Sequence, residues 1–270
     1  MKNIRCDRIT SRKNPKIISA CALSDKKVRD LTGLFAAEGI KLLREILYEN
    51  IKITDIYHTK STAVKFSEEL EKADMSGANI YEVSDEVYDK LSEEKNPEGV
   101  FTVAKKFPVY PHAAQTPGKG GFVILDSIQN PLNIGAIIRA AAALGVEKIL
   151  LGEGCADIFG RKTVRAAMGA LFKVNICVCS DICEELGQLK KSGSRIFASA
   201  LGAESTDIRN IKFSPDDCIV IGNEGSGISE KVLCVCDKKI IIPMQQNTES
   251  LNAASAASIL IWEKQKGVIE

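Results

Sequence analysis

Three short segments carry the residue types from which a ligand site is built. The first, Asn133-Ile-Gly-Ala-Ile-Ile-Arg139, opens a predicted helix just after the apolar run GFVILD. Asn130, Asn133 and Gly135 suit a turn and a helix cap. Arg139 stands among Ile137, Ile138, Ala140 and Ala141, where burial without an anionic partner is costly. Taken alone, the segment equally admits an arginine on the solvent side of its helix. The second segment, Gly222-Asn-Glu-Gly-Ser-Gly227, follows the strand-like run CIVIG. Its glycines let backbone groups approach a ligand, and Glu224 adds a carboxylate, although a plain turn has the same composition. The third, Ile242-Pro-Met-Gln-Gln-Asn-Thr-Glu-Ser-Leu-Asn252, leads into a helix beginning Ala253, Ala254, Ser255, Ala256 and Ala257. Ser250 or Asn252 can cap that helix, and the small residues fit a tight helix–helix contact. All three segments fall at the carboxyl ends of predicted strands, where open α/β sheets bind ligands.

The surrounding pattern supplies that sheet. Residues 107–121, FPVYPHAAQTPGKGG, show no helical or strand period and read as a linker between residues 1–106 and 122–270. After it, GFVILD, EKILLG, KVNICVCS, RIFASAL, DDCIVIG and KKIIIPM read as buried strands separated by helices, which predicts a mostly parallel sheet. Before it, LTGLFAAEGIKLLREILYEN reads as one helix containing Gly39. Alternating shorter elements follow, so the first region is expected to be a small α/β sandwich.

Composition narrows the classes. The formal charge is +1, but residues 1–30 hold nine Lys or Arg against three Asp, and residues 82–98 hold seven acids against Lys90 and Lys95. A basic end balanced by an acidic patch fits a polyanionic partner, and it also fits two solvated helix faces. The chain has nine cysteines but no C-x-x-C, and neither His58 nor His112 has a cysteine at ligand spacing. No metal is expected, and the thiols read as structural in a reducing cytosol. The pairs Cys177/Cys179 and Cys234/Cys236 lie in apolar runs where strand alternation would put both thiols of a pair on one face. The start MKNIRCDRIT has no apolar h-region and no window of 18 apolar residues occurs, so a soluble, cytoplasmic protein without a membrane span is expected.

The order of the motifs NIGAIIR (133–139), GNEGSG (222–227) and IPMQQNTESLN (242–252) resembles the SpoU/TrmH branch of the SPOUT methyltransferases. ITSRKNPKI at 9–17 and GLFAAEGIKLLREIL at 33–47 are similar to the substrate-binding domain that precedes the catalytic domain in many members. The resemblance implies an α/β fold with a trefoil-knotted carboxyl-terminal domain, pairing as a homodimer through it. It implies S-adenosylmethionine resting against Ser199, Ala200, Leu201, Gly222, Ile242, Met244, Ser250, Leu251 and Asn252. Transfer of its methyl group to a ribose 2′-hydroxyl of structured RNA would follow, with large-subunit rRNA the expected target and tRNA the alternative. Arg139 is the implied catalytic residue, with Asn133, Glu224 and Asn252 beside it.

A guanidinium is a poor base, so Arg139 is expected to fix the hydroxyl and the adjacent phosphate, with Glu224 and Asn133 holding it and the proton leaving to water or phosphate. RNA contacts are expected from Arg12, Lys13, Lys16, Lys27, Arg29, Arg161, Lys162 and Arg165. Gln246 stands where members often carry Gly, and Ala253-Ala254-Ser255 where Val-Ser is common. A nucleotide-dependent oxidoreductase would need G-x-G-x-x-G after an early strand, whereas this loop reads G-x-x-G-x-G after a late one. A non-catalytic RNA-binding protein of the same fold is the other alternative.

Overall fold

The computed structural model describes residues 6–202, 204–245 and 250–267. Lys2 and Arg5, two of the nine basic residues within 1–30, and Gln246 lie outside the described residues. The elements begin with β1 (Cys6–Ile9), α1 (Pro15–Ala22), α2 (Lys26–Thr32), β2 (Leu34–Glu38), α3 (Ile40–Tyr48) and β3 (Ile53–His58). Then come α4 (Lys60–Lys65), α5 (Ser67–Met75), β4 (Asn79–Val83), α6 (Asp85–Leu91) and β5 (Val100–Lys105). The remainder runs β6 (Val123–Asp126), α7 (Pro131–Ala143), β7 (Lys148–Leu151), α8 (Arg161–Ala167), β8 (Asn175–Val178), α9 (Ile182–Lys191) and β9 (Ile196–Ser199). It closes with β10 (Thr206–Asp207), β11 (Cys218–Gly222), α10 (Glu230–Val235), β12 (Lys238–Ile241) and α11 (Ala253–Gln265).

The chain forms two compact units. Residues 1–107 are joined by 159–172, and residues 108–158 by 173–270. The first unit holds a five-stranded sheet in the order β1-β4-β3-β5-β2, parallel across β1, β4 and β3 and antiparallel at β5 and β2. One face buries Ile17, Tyr57, Tyr81, Val87, Leu91 and Phe101 against α1 and α6.

The helix expected across residues 31–50 is in fact strand β2 followed by α3. Leu34 to Glu38 pair with Lys105 to Phe101, so a cross-strand partner overrides the helix propensity of Ala-Ala-Glu. Gly39, at φ +101°, makes the corner between strand and helix rather than weakening a helix interior.

Residues 159–172 belong to this first unit although the sequence places them deep in the second. Phe159 and Phe172 pack on Phe35 and Phe107 with ring centroids 4.8–6.1 Å apart. Arg161 donates to Glu38 at 2.8 Å and to Glu93 at 3.1 Å, and its guanidinium lies 5.0 Å from the Phe101 ring. Ser92 and Tyr88 also donate to Glu38, and Arg165 pairs with Glu94.

The second unit is a seven-stranded, all-parallel sheet in the order β10-β12-β9-β11-β6-β7-β8. Its central strands β9, β11, β6 and β7 are apolar on both faces, as parallel sheets covered on two sides require. The stretch read as a linker is ordered within this unit. Tyr110 donates to Ile176 O and accepts from Val178 N at 2.9 Å each, and Glu185 receives Ala113 N and His112 Nδ1. Short polar and proline-rich pieces can thus be fastened by partners far away in sequence. Cys177 and Cys179 share one core cluster, as strand alternation predicts. Cys234 instead lies in helix α10 and Cys236 just beyond it, because VLCV turns toward α9 rather than joining the sheet.

Glu38 and Arg161 are both largely buried, with side chains 8% and 12% exposed. Removing one partner of such a pair strands the other charge. Glu38→Ala is therefore expected to destabilise the fold by about 3 kcal/mol, checked by urea denaturation.

Candidate functional site

The motif segments meet at the carboxyl edge of the parallel sheet. Strands β6, β11, β9 and β12 are neighbours, so the segments that follow each of them leave the same edge. Helix α11 lies beside α7 and parallel to it. Asn252 at its start bonds Asn133, and Gln265 at its end donates to Leu144 O at 3.2 Å.

A directed chain of side-chain amides links three motifs. Asn252 caps α11, its Oδ1 accepting from Ala254 N at 3.0 Å and Ser255 N at 3.4 Å. Its Nδ2 then donates to Asn133 Oδ1 at 3.1 Å. Asn133, 7% exposed in the first turn of α7, donates its own Nδ2 to Glu224 Oε1. Helix N–H groups can only donate, so each amide in the series has one possible orientation. Glu224 ends the series as an acceptor. Its Oε2 has no hydrogen-bond partner among the described residues, and the residue is exposed.

Arg139 is exposed and makes no hydrogen bond or ion pair among the described residues. The expected bonds from Glu224 and Asn133 to Arg139 are not formed, and Asn133 donates to Glu224 instead. Arg139 lies seven residues after Leu132, on the helix face that also carries Leu132 toward solvent.

A second group of residues, which the sequence reading passed over, fixes the loops themselves. Asp126, 3% exposed at the end of β6, accepts from Ser229 N and Ser229 Oγ at 2.8 Å each. Asn223 donates to Ser127 O at 2.9 Å, and its Oδ1 accepts from Gly225 N and Ser226 N. Ser127 holds a left-handed φ of +58°. A carboxylate closing the otherwise apolar strand VILD was the available signal. Gly222 serves this loop as well, since a Cβ there would lie 2.4 Å from Gly227 C and Ile228 N.

The residues expected around the methyl donor fall at the same edge. Leu201, Met244 and Leu251 are apolar yet 70%, 39% and 40% exposed, just beyond β9, beyond β12 and before α11. The main-chain groups of Met244 and Leu251 have no backbone hydrogen bond among the described residues. Exposed apolar side chains at this edge fit a flat, partly apolar ligand. Ala200 is partly committed, its N–H to Ile240 O at 3.2 Å and its carbonyl to Ser205 Oγ at 2.8 Å. Ser199, Gly222 and Ile242 are half-buried, and Ser250 is exposed.

The basic residues divide into two kinds. Arg12, Lys13, Lys27 and Lys162 are exposed. Lys16 donates to Tyr81 Oη at 2.7 Å, Arg29 is buried and donates to Leu23 O at 2.7 Å and Ser24 O at 2.9 Å, and Arg161 and Arg165 hold acids. Among the described residues no group of three or more His, Cys, Asp or Glu side chains could hold a metal, and no helix is long and apolar enough to cross a membrane.

Comparison with known proteins bears on this geometry. The profile of the SpoU rRNA Methylase family matches residues 121–262, and that of the MRM3-like substrate binding domain matches residues 14–102. The 23S rRNA (guanosine(2553)-2′-O)-methyltransferase RlmP of Bacillus subtilis is 29% identical over 255 residues, spanning 94% of this chain and 98% of that one. An AdoMet-bound rRNA methyltransferase from Sinorhizobium meliloti superposes with a TM-score of 0.87 at 29% identity, covering 98% and 99% of the two chains. A TrmH-family putative RNA methyltransferase from Porphyromonas gingivalis gives a TM-score of 0.81 at 26% identity, covering 94% and 98%.

The amide series predicts an asymmetry at residue 252. Asn252→Ala removes the cap and is expected to cost about 1 kcal/mol, whereas Asn252→Ser keeps a cap acceptor and is expected to cost less, both measured by urea denaturation.

Proposed function

The chain belongs to the SpoU rRNA methylase family, and on that premise we propose that it methylates a ribose 2′-hydroxyl of structured RNA with S-adenosylmethionine as donor. The observation that carries the reading is the hydrogen-bonded series joining Asn252, Asn133 and Glu224 across three separate motifs, with Arg139 exposed two turns further along the helix that carries Asn133. When bound, S-adenosylmethionine supplies an activated sulfonium methyl. The protein's own task is to position the hydroxyl and manage one proton. Leu201, Met244 and Leu251 would cover the donor's apolar surface, and Ser199, Ala200, Gly222, Ile242, Ser250 and Asn252 would line the rest of its site. Arg139 would grip the ribose hydroxyl and neighbouring phosphate with its paired donors.

Large-subunit rRNA is the target we favour, because RlmP shares nearly the whole chain with this protein. tRNA is the second reading, favoured by relatives described as TrmH-family tRNA/rRNA methyltransferases. Affinity would come from phosphate contacts of exposed Arg12, Lys13, Lys27 and Lys162, and the first domain would choose the target by shape. Nine free cysteines suit a reducing cytoplasm.

We also propose the family's trefoil knot and a homodimer through the second domain. Leu132 on α7 and Ile259 and Trp262 on α11 lie exposed on adjacent parallel helices, with Trp262 54% exposed. Burial against a second copy would remove that apolar face from water. Sedimentation should give twice the chain mass, and a monomer at micromolar concentration would sink the pairing.

The decisive test maps ribose methylation in RNA from cells with and without the gene, where a single lost 2′-O-methyl mark is expected. Arg139→Lys retains the charge without the planar fork, and its turnover should fall on the order of 100-fold. Wild-type turnover in that variant would refute the role of Arg139.

A further inference from the structure

We propose that Glu224 is the group that takes the proton from the ribose hydroxyl. The inference rests on the proposed ribose methylation and assigns the step left above to water or phosphate. Among the described side chains of the three motifs, Glu224 is the one carboxylate, and Glu249 of the third motif lies outside the described residues. Arg139 keeps its proton, Asn133 and Asn252 are amides, and Ser250 is a neutral alcohol. Neither histidine of the chain belongs to these loops. Asp126 is close in the fold, but it is 3% exposed and its Oδ2 is occupied by Ser229 N and Oγ.

The geometry divides the two oxygens of Glu224 between holding and reacting. Oε1 takes the proton of Asn133 Nδ2, and Oε2 is open among the described residues. The direction of the series matters as much as its existence. Backbone N–H groups at the start of α11 orient Asn252, Asn252 orients Asn133, and Asn133 presents a donor to the carboxylate. Glu224 is thus held as an acceptor by groups with no alternative hydrogen-bonding arrangement. In the step, the ribose O–H bond breaks and its proton moves to Oε2, while the oxygen forms a bond to the methyl carbon as the methyl–sulfur bond breaks and leaves its electron pair on a neutral thioether. The positive charge lost at the donor is matched by the negative charge lost at Glu224, so no further reactant is needed.

The test uses the full chain and its mapped RNA. Glu224→Gln preserves size and an oxygen for Asn133, yet it accepts no proton. Single-turnover methyl transfer by Glu224→Gln should fall by roughly 100-fold. Binding of S-adenosylhomocysteine and of RNA, measured by calorimetry and filter retention, should stay within about threefold, and the melting temperature should be unchanged. Formate should then accelerate Glu224→Ala by roughly tenfold, since a small carboxylate can occupy the vacated place. Wild-type rates in Glu224→Gln, a loss of binding that accounts for the loss of rate, or failure of formate to rescue Glu224→Ala would each overturn the proposal. A wild-type chain that methylates no RNA overturns the methylation reading itself, and does so before any variant is compared.

Discussion

An amide side chain is two-faced, donating at one end and accepting at the other, and this fold turns that property into a ruler. The N-terminal peptide groups of α11 determine how Asn252 sits, Asn252 determines how Asn133 sits, and Asn133 meets Glu224. Three residues separated by 91 and 119 positions along the chain are thereby held in one register. The apolar sheet beneath supplies rigidity, but it carries no polar information about the loops above it. Displacing α11 would leave Asn133 without its donor and Glu224 without a defined orientation. The site depends on a helix cap.

Around that line, the loops are fastened to one another rather than to the sheet alone. Asp126 draws Ser229 toward the end of β6, and Asn223 holds Ser127 in a left-handed backbone conformation. Strain of this kind persists where the surroundings over-determine it. The apolar residues Leu201, Met244 and Leu251 at the same edge stay exposed. They are a cost in the free protein that a bound ligand can relieve.

Much of this was legible from residues alone, and the exceptions have common causes. The continuous apolar runs announced a parallel sheet, and the motifs fell at its carboxyl edge as strand direction requires. Asn252 is the cap that its place before an Ala/Ser helix suggested. Strand β2 escaped notice because Leu-Phe-Ala-Ala-Glu has no period, and only its pairing with β5 makes it a strand. The commitments of Glu224, Arg161 and Arg29 escaped for a different reason. Which partner a charge chooses depends on contacts between distant segments, and neither composition nor spacing encodes them. In the basic run at 161–165, Arg161 and Arg165 pair with Glu38, Glu93 and Glu94, acids that sit far back in the chain.

Those same acids bear on how the protein is made. The amino-terminal body finishes its aromatic cluster only with Phe159 and Phe172, and it neutralises Glu38 only with Arg161. A ribosome releasing the chain from its first residue therefore exposes an unfinished body until residue 172 has left the exit tunnel. By then β6, α7 and β7 have already been synthesised. Neither half can be completed before the other has begun, so birth of this protein is interleaved rather than sequential.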